Sequence, residues 1–252
     1  MIKSYVNSID NNIDLGFSVV DFSEIPSELL LSNRKDLKYI ISKDLVQDIF
    51  GRLNGEYILQ VKSGKTLSSY TSRYYDTEDF LFYSDHHRGK LNRHKVRTRT
   101  YEDGKSFLEI KRKDNKGLTH KSRTEIDGAS FRIENYSSFL DNIGGCKHPL
   151  NEKLRVQYDR ITLYHKDMNE KLTFDFSYHV DFDQSDFKLE NIVLVESKGL
   201  KHSRSFFNLL MKEMKIPSVS FSKYCFGLIN IHSVIKHNNF IPLQKQVKKI
   251  IE

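Results

Sequence analysis

The chain has 252 residues, 38% of them apolar, and its 40 Lys and Arg against 33 Asp and Glu give a formal charge of +7 and a pI near 9.1. That length buries the core of one large domain or two small ones, and the basic excess suits an anionic partner: nucleic acid, a membrane surface or a phosphorylated small molecule. Cys146 and Cys225 lie far apart and form no CxxC, and no stretch approaches ~18 apolar residues, so neither a disulfide framework nor a membrane-spanning helix is expected.

The expected setting is a reducing cytosol, soluble or peripheral at most. In chain order, residues 1–25 read as an N-terminal arm; "MIKSYVNSIDNNIDLGF" lacks the long apolar core of a targeting segment. "RKDLKYIIS" is a strand candidate, and "SKDLVQDIF" starts a helix behind a Ser42 cap. "SSYTSRYYDT" has the Tyr, Thr and Ser of a strand, and "EDFLFYSDHH" reads as a short helix or loop. "SFRIENYSSFLDNIG" reads as a helix stopped by Gly144. "EKLRVQYDRITLYHK" and "KLTFDFSYHV" are strands separated by the turn-like "DMNE", and "NIVLVESKG" is another. "KHSRSFFNLLMKEMK" and "FSKYCFGLINIHSVI" read as two amphipathic helices. The pattern predicts one α+β domain over 26–235, strands outnumbering helices in sequential hairpins, and a basic C-terminal tail over 236–252.

The stretch "RHKVRTRTYEDGKSFLEIKRKDNKGLTHKSRTEI" carries the clearest geometry. A three-residue loop Glu102, Asp103, Gly104, with Gly104 left-handed, pairs Arg99 with Phe107, Arg97 with Glu109 and Lys95 with Lys111. A two-residue loop would mix the faces. A second turn around "DNKG" then brings Lys121, Arg123 and Glu125 onto the same face. By period-two alternation that face holds Arg93, Lys95, Arg97, Arg99, Lys111, Lys113, Lys121 and Arg123 against only Glu109 and Glu125, and the other face holds Val96, Thr98, Thr100, Leu108 and Ile110. Directly opposed like charges cost energy in a sheet, and a bound anion relieves them. The alternative is a solvated charged face.

Nine segments, "DLKYIIS", "SSYTSRYYDT", "RHKVRTRTY", "FLEIKRK", "HKSRTEI", "YDRITLY", "KLTFDFS", "VLVESKG" and "FSKYCFG", stand in an order that resembles the VTC domain. That domain is the polyphosphate polymerase branch of the triphosphate tunnel metalloenzymes, a superfamily that includes the CYTH hydrolases and cyclases. The resemblance, from about Arg34 to Gly227, implies an antiparallel eight-stranded β-barrel flanked by helices, with inward basic side chains holding a triphosphate and carboxylates holding a divalent metal, Mn or Mg. It implies triphosphate-binding roles for Lys38, Arg97, Arg99, Lys111, Lys121, Arg160, Lys171, Lys198 and Lys223, of which Arg97, Arg99, Lys111 and Lys121 form the catalytic set. Glu196 resembles the metal-binding glutamate, and Glu109 is a second acidic candidate whose alternative role is to neutralise Arg97. "RKDLK" stands where the hydrolase branch has ExExK, with Arg34 and Asp36 replacing the two glutamates, which favours the polymerase branch.

The implied function is metal-dependent phosphoryl transfer from a tunnel-bound nucleoside triphosphate, namely polyphosphate synthesis from ATP, with phosphate or polyphosphate as acceptor. The competing readings are a triphosphatase acting on inorganic or nucleoside triphosphate, and a non-catalytic binder of polyphosphate or nucleic acid. Nucleic acid is not expected, because the basic strands lack the interleaved exposed aromatics of a single-strand platform, Tyr101 and Phe107 only flanking the turn, and any membrane coupling is expected to run through a partner protein. "QVKSGKT" ends like a P-loop at Gly64, Lys65 and Thr66, but the leading glycine would fall at Leu59, so it is discarded. His86 and His87 are expected to be solvated in a polar loop, without metal-ligand companions.

Overall fold

Alternating polar and apolar residues build most of this fold, because each strand has one face turned to charge and one to a helix-covered core. The structure, a computed structural model, describes residues 16–26, 34–116, 118–141, 148–200, 205–232 and 235–251. Its strands are β1 (Ser18–Asp21), β2 (Arg34–Ser42), β3 (Tyr57–Val61), β4 (Leu67–Asp76), β5 (Arg93–Tyr101), β6 (Ser106–Lys113), β7 (Thr119–Ile126), β8 (Asn151–His165), β9 (Glu170–Phe182), β10 (Ser185–Leu189) and β11 (Ile192–Leu200). The helices are α1 (Val46–Leu53), α2 (Leu81–His87), α3 (Ser137–Leu140), α4 (Phe206–Glu213), α5 (Lys223–Ile231) and α6 (Ile241–Ile251).

Eight strands form one antiparallel path in the order β2, β11, β9, β8, β4, β5, β6, β7. The shorter β3 and β10 pair with β8 and β9, and β1 runs parallel to β3. The meander takes the expected register, Lys95 opposite Lys111, Arg97 opposite Glu109 and Arg99 opposite Phe107, then Lys111 opposite Lys121. Gly104 sits at φ 80°, the left-handed conformation the loop requires.

The path is strongly curled. Lys111 on β6 lies in the electrostatic field of Lys198 and Glu196 on β11, five strand steps away, and Lys95 on β5 in that of Lys38 on β2. In a flat sheet β6 and β11 would stand about 24 Å apart. Among the described residues no β2–β7 pairing closes the ring, so the architecture is a barrel-like tunnel with a seam. Beside that seam the Val219 N–H donates to the Lys38 carbonyl of β2, at 2.8 Å.

The outer face is clad in two places. Val46, Ile49, Phe50 and Leu53, at helical spacing on α1, and Phe207, Leu210 and Met211 on α4 cover Leu163, Leu172, Phe174, Val193 and Val195. Phe82 and Ile133 cover Val96, Leu108, Ile110 and Ile126 of the meander. Each fully buried side chain of this kind contributes roughly 1.5–3 kcal/mol.

Inside the barrel, α5 closes one end. Its Tyr224, Cys225, Phe226, Leu228 and Ile229 are all buried, against Tyr74, Leu154, Val156, Tyr178 and Val180. A helix apolar on nearly every side is a core element, so α5 is a plug, where its pattern predicts an amphipathic helix.

Other expectations change too. Part of the N-terminal arm is strand β1, and the expected tail forms α6, which buries Val247 with Phe240 just before it. Among its described residues "SFRIENYSSFLDNIG" forms a 3-10 turn over Ile133–Tyr136 and the single turn of α3; Gly144 and Cys146 lie outside the described residues. The decoy "KSGKT" is the tight turn joining β3 to β4, with Lys62 bridged to Lys65 and Gly64 at φ 75°. His86 and His87 close the last turn of α2 and pack on Phe240, with ring centroids 6.2 and 5.8 Å away.

Candidate functional site

The inward face of the barrel gathers bases from six strands and from the first residue of α5, and three carboxylates are each gripped by two of them. Glu109 on β6 accepts from Arg97 Nε at 2.8 Å, with Arg97 Nη2 at 2.6 Å, and its other oxygen meets Lys121 Nζ at 2.5 Å. Asp175 on β9 takes Arg160 Nε and Nη2 at 2.5 and 2.7 Å and Lys223 Nζ at 2.5 Å. Glu196 on β11 lies 3.3 Å from Lys38 Nζ and 3.0 Å from Lys198 Nζ.

Three further cations in the same interior have no carboxylate among their described contacts. Arg99 donates to Tyr158 Oη at 3.0 Å and Ser72 Oγ at 3.4 Å, and Lys95 donates to Ser222 Oγ at 2.8 Å. Lys111 lies in the field of Arg97, Lys198 and Arg99, which oppose its charge, and of Glu196, which favours it.

The electrostatics follow from that crowding. Repulsion from Arg97, then burial and Lys198, push the Lys111 amine well below the usual lysine range. Burial pushes Lys95 the same way, with Lys38, Arg93 and Arg97 adding to it and Cys225 opposing. Burial alone would raise Glu196, but Lys198, Lys38, Lys111 and Lys223 outweigh it and hold its carboxyl well below the ordinary range. Asp175 is likewise held down by Arg160 and Lys223 against burial, and Tyr158 by Arg99, Arg160 and Lys223. An interior with this excess of cations is a preformed anion site.

Lys38, Arg97, Arg99, Lys111, Lys121, Arg160, Lys198 and Lys223 thus share one interior. Lys171 lies on the same face of β9, beside Lys198 at a strand end, its ammonium 5.1 Å from the Tyr164 ring centroid. Glu109 is fully buried, with Oε2 on Arg97 and Oε1 2.5 Å from Lys121 Nζ, so in this structure it neutralises those two bases. Asp175, Tyr158 and Ser222 carry no assignment in the sequence reading, and Lys95 has there only a place on the charged face. Asp175 had a signal: it is a lone acid between Phe174 and Phe176.

Among the described residues no group of three or more His, Cys, Asp or Glu could enclose a metal. Glu196 fits a different arrangement, one carboxylate sharing a hard cation with substrate phosphates, the usual way Mg²⁺ is held in phosphoryl-transfer sites.

A curled antiparallel sheet clad by helices, with a basic interior and one plugged end, makes this a barrel-like protein built to hold an anion. The VTC domain model matches residues 33–232, and the chain belongs to that family. No curated protein matches the sequence. Among solved structures, a "putative adenylate cyclase" from Bacillus halodurans superposes with a TM-score of 0.50 at 14% identity, over 76% of this chain and 96% of that one. A "putative adenylyl cyclase" from Hippeastrum, reported to have a dominant triphosphatase activity, gives 0.46 at 15% over 76% and 92%. The inorganic triphosphatase NE1496 gives 0.34 at 12% over 79% and 96%.

Proposed function

We propose that this protein transfers phosphoryl groups from a nucleoside triphosphate held in its tunnel, and that the product is polyphosphate made from ATP, with phosphate or a growing chain as acceptor. The observation that carries this is the set of inward cations without carboxylate partners, Lys111, Arg99 and Lys95, between the paired clusters. Arg97, Arg99 and Arg160 present guanidinium forks suited to phosphate oxygens, and the lysines act as point charges. Charge developing on the transferred group is stabilised by donors already in place, so positioning and electrostatics supply the catalysis and no protein nucleophile is required.

Glu196 would hold the divalent metal, Mn or Mg, and the metal would supply neutralisation of phosphate charge. To admit it, Lys38 and Lys198 turn from Glu196 to the phosphates. Arg97 and Lys121 stay on Glu109, which fixes the fork of Arg97. Arg160 and Lys223 are positioned the same way by Asp175. Lys171 would contact only the end of a longer chain.

A triphosphatase uses the same cage with water as acceptor. Purified protein is incubated with ATP and manganese, and both long-chain polyphosphate and free phosphate are measured. Polymer that disappears in Glu196→Ala supports the proposal; phosphate without polymer assigns the triphosphatase; no turnover, with salt-sensitive nucleic-acid binding, assigns the binder.

A further inference from the structure

Four aromatic rings form a ladder along the inner face, and phosphate chemistry accounts for only its deepest rung. Tyr158 stacks on Tyr70 with centroids 5.3 Å apart at 10°, Tyr70 meets Tyr101 at 5.3 Å, and Tyr101 meets Phe107 edge-on at 5.9 Å. Each rung carries a cation: Lys223 and Arg160 at Tyr158, Arg99 and Arg160 at Tyr70, Lys62 at Tyr101 and Arg123 at Phe107, at 4.7 to 5.4 Å from the ring centroids.

The ladder has a direction. Tyr158 is buried beside Asp175 and the first residue of α5, the plugged side. Tyr101 and Phe107 flank the Glu102–Gly104 loop, at the end of β5 and β6 away from the plug, and both remain partly exposed. Phe174 and Phe226 serve apolar cores. Phe107 instead stands on the charged face, between Arg99 and Glu125 in register, and has no polar atom to offer a phosphate. A π-face with a guanidinium over it, at the outer end of a phosphate cage, is the chemistry that seats a planar base.

We propose that Tyr101 and Phe107, with Arg123, form the seat for the base of the nucleotide whose triphosphate enters the cage, so that the tunnel takes nucleoside triphosphates in preference to inorganic triphosphate. This rests on the tunnel reading above and adds to it the residues that would recognise the base.

The test is calorimetric titration of the wild-type protein and of Tyr101→Leu/Phe107→Leu with ATP and, separately, with inorganic tripolyphosphate. The double variant is expected to lose on the order of tenfold in ATP affinity while tripolyphosphate affinity stays within about twofold, which also shows that it is folded. Unchanged ATP affinity, or equal losses for both ligands, overturns the base seat and leaves the tunnel reading standing. Wild-type protein that binds neither ligand overturns both. If the double variant does not fold, Arg123→Gln at the exposed edge strand is titrated instead. It is expected to show a smaller loss confined to ATP, and no such selective loss overturns the inference.

Discussion

Lys111 is the residue whose stability and proposed function conflict most openly. An enclosed ammonium facing Arg97, Arg99 and Lys198 costs the empty protein free energy, and an anion repays it on binding. Lys111→Met keeps the length and removes the charge. A gain of about 1 kcal/mol would raise Tm by ~2–4 °C in a protein of this size, while triphosphate affinity should fall at least about tenfold; a thermal melt and a titration check both. Arg97→Ala acts oppositely, leaving Glu109 buried with half its partners, a loss of about 3–5 kcal/mol visible as a lower urea midpoint. His86 sets an acid limit. Burial, with Lys95, Arg93 and Lys113 nearby, lowers its pKa from 6.5 to about 3, so between those values the unfolded chain binds the proton that the folded chain refuses. Its contribution is therefore full above pH 6.5 and lost as pH falls towards 3, by up to about 1.4 kcal/mol per pH unit. His86→Leu should flatten the stability profile between pH 6.5 and 4.5, above the range where Glu109 protonates in the unfolded chain.

At the scale of elements, local chemistry made the meander readable and left the plug unreadable. Gly104 and strict alternation fix the register of β5, β6 and β7 without help from distant residues, which is why Lys95, Arg97 and Arg99 could be assigned to one face from sequence. β3 and β10 are only five residues each and carry too little periodicity to stand out. The segment of α5 shows a run of apolar residues whose meaning depends on what surrounds it, and the barrel wall around it is built from strands far away in sequence. For the same reason Asp175 was passed over: its partners Arg160 and Lys223 lie 15 and 48 residues away. Gly227 marks how tightly the plug fits. A Cβ there would meet Tyr178 Oη at 3.0 Å and the Val180 methyls at 3.1 Å. Gly227→Val should push α5 off β9, cost about 1–3 kcal/mol, and weaken triphosphate binding by displacing Lys223 from Asp175; a melt and a titration of one preparation test both effects.

At the scale of the whole molecule, helix-clad outer faces allow a sheet this charged to curl into a tunnel with water or ligand inside. Among the described residues no helix is long and apolar enough to cross a membrane. The curl itself was not legible in any segment, since it shows where residues of distant strands meet across the interior, Lys111 with Lys198 and Lys95 with Lys38. Because the cage binds through charge, affinity for triphosphate should fall as salt rises, though less steeply than on an open surface, where screening is complete beyond ~8–10 Å; titrations from low to high salt read the slope. The most direct test is a crystal structure of the protein soaked with tripolyphosphate and manganese. The account predicts phosphate density inside the barrel, within hydrogen-bonding distance of Lys111 and Arg99, with the metal on Glu196; phosphate bound only on the outer surface, with the interior side chains unmoved, would contradict it.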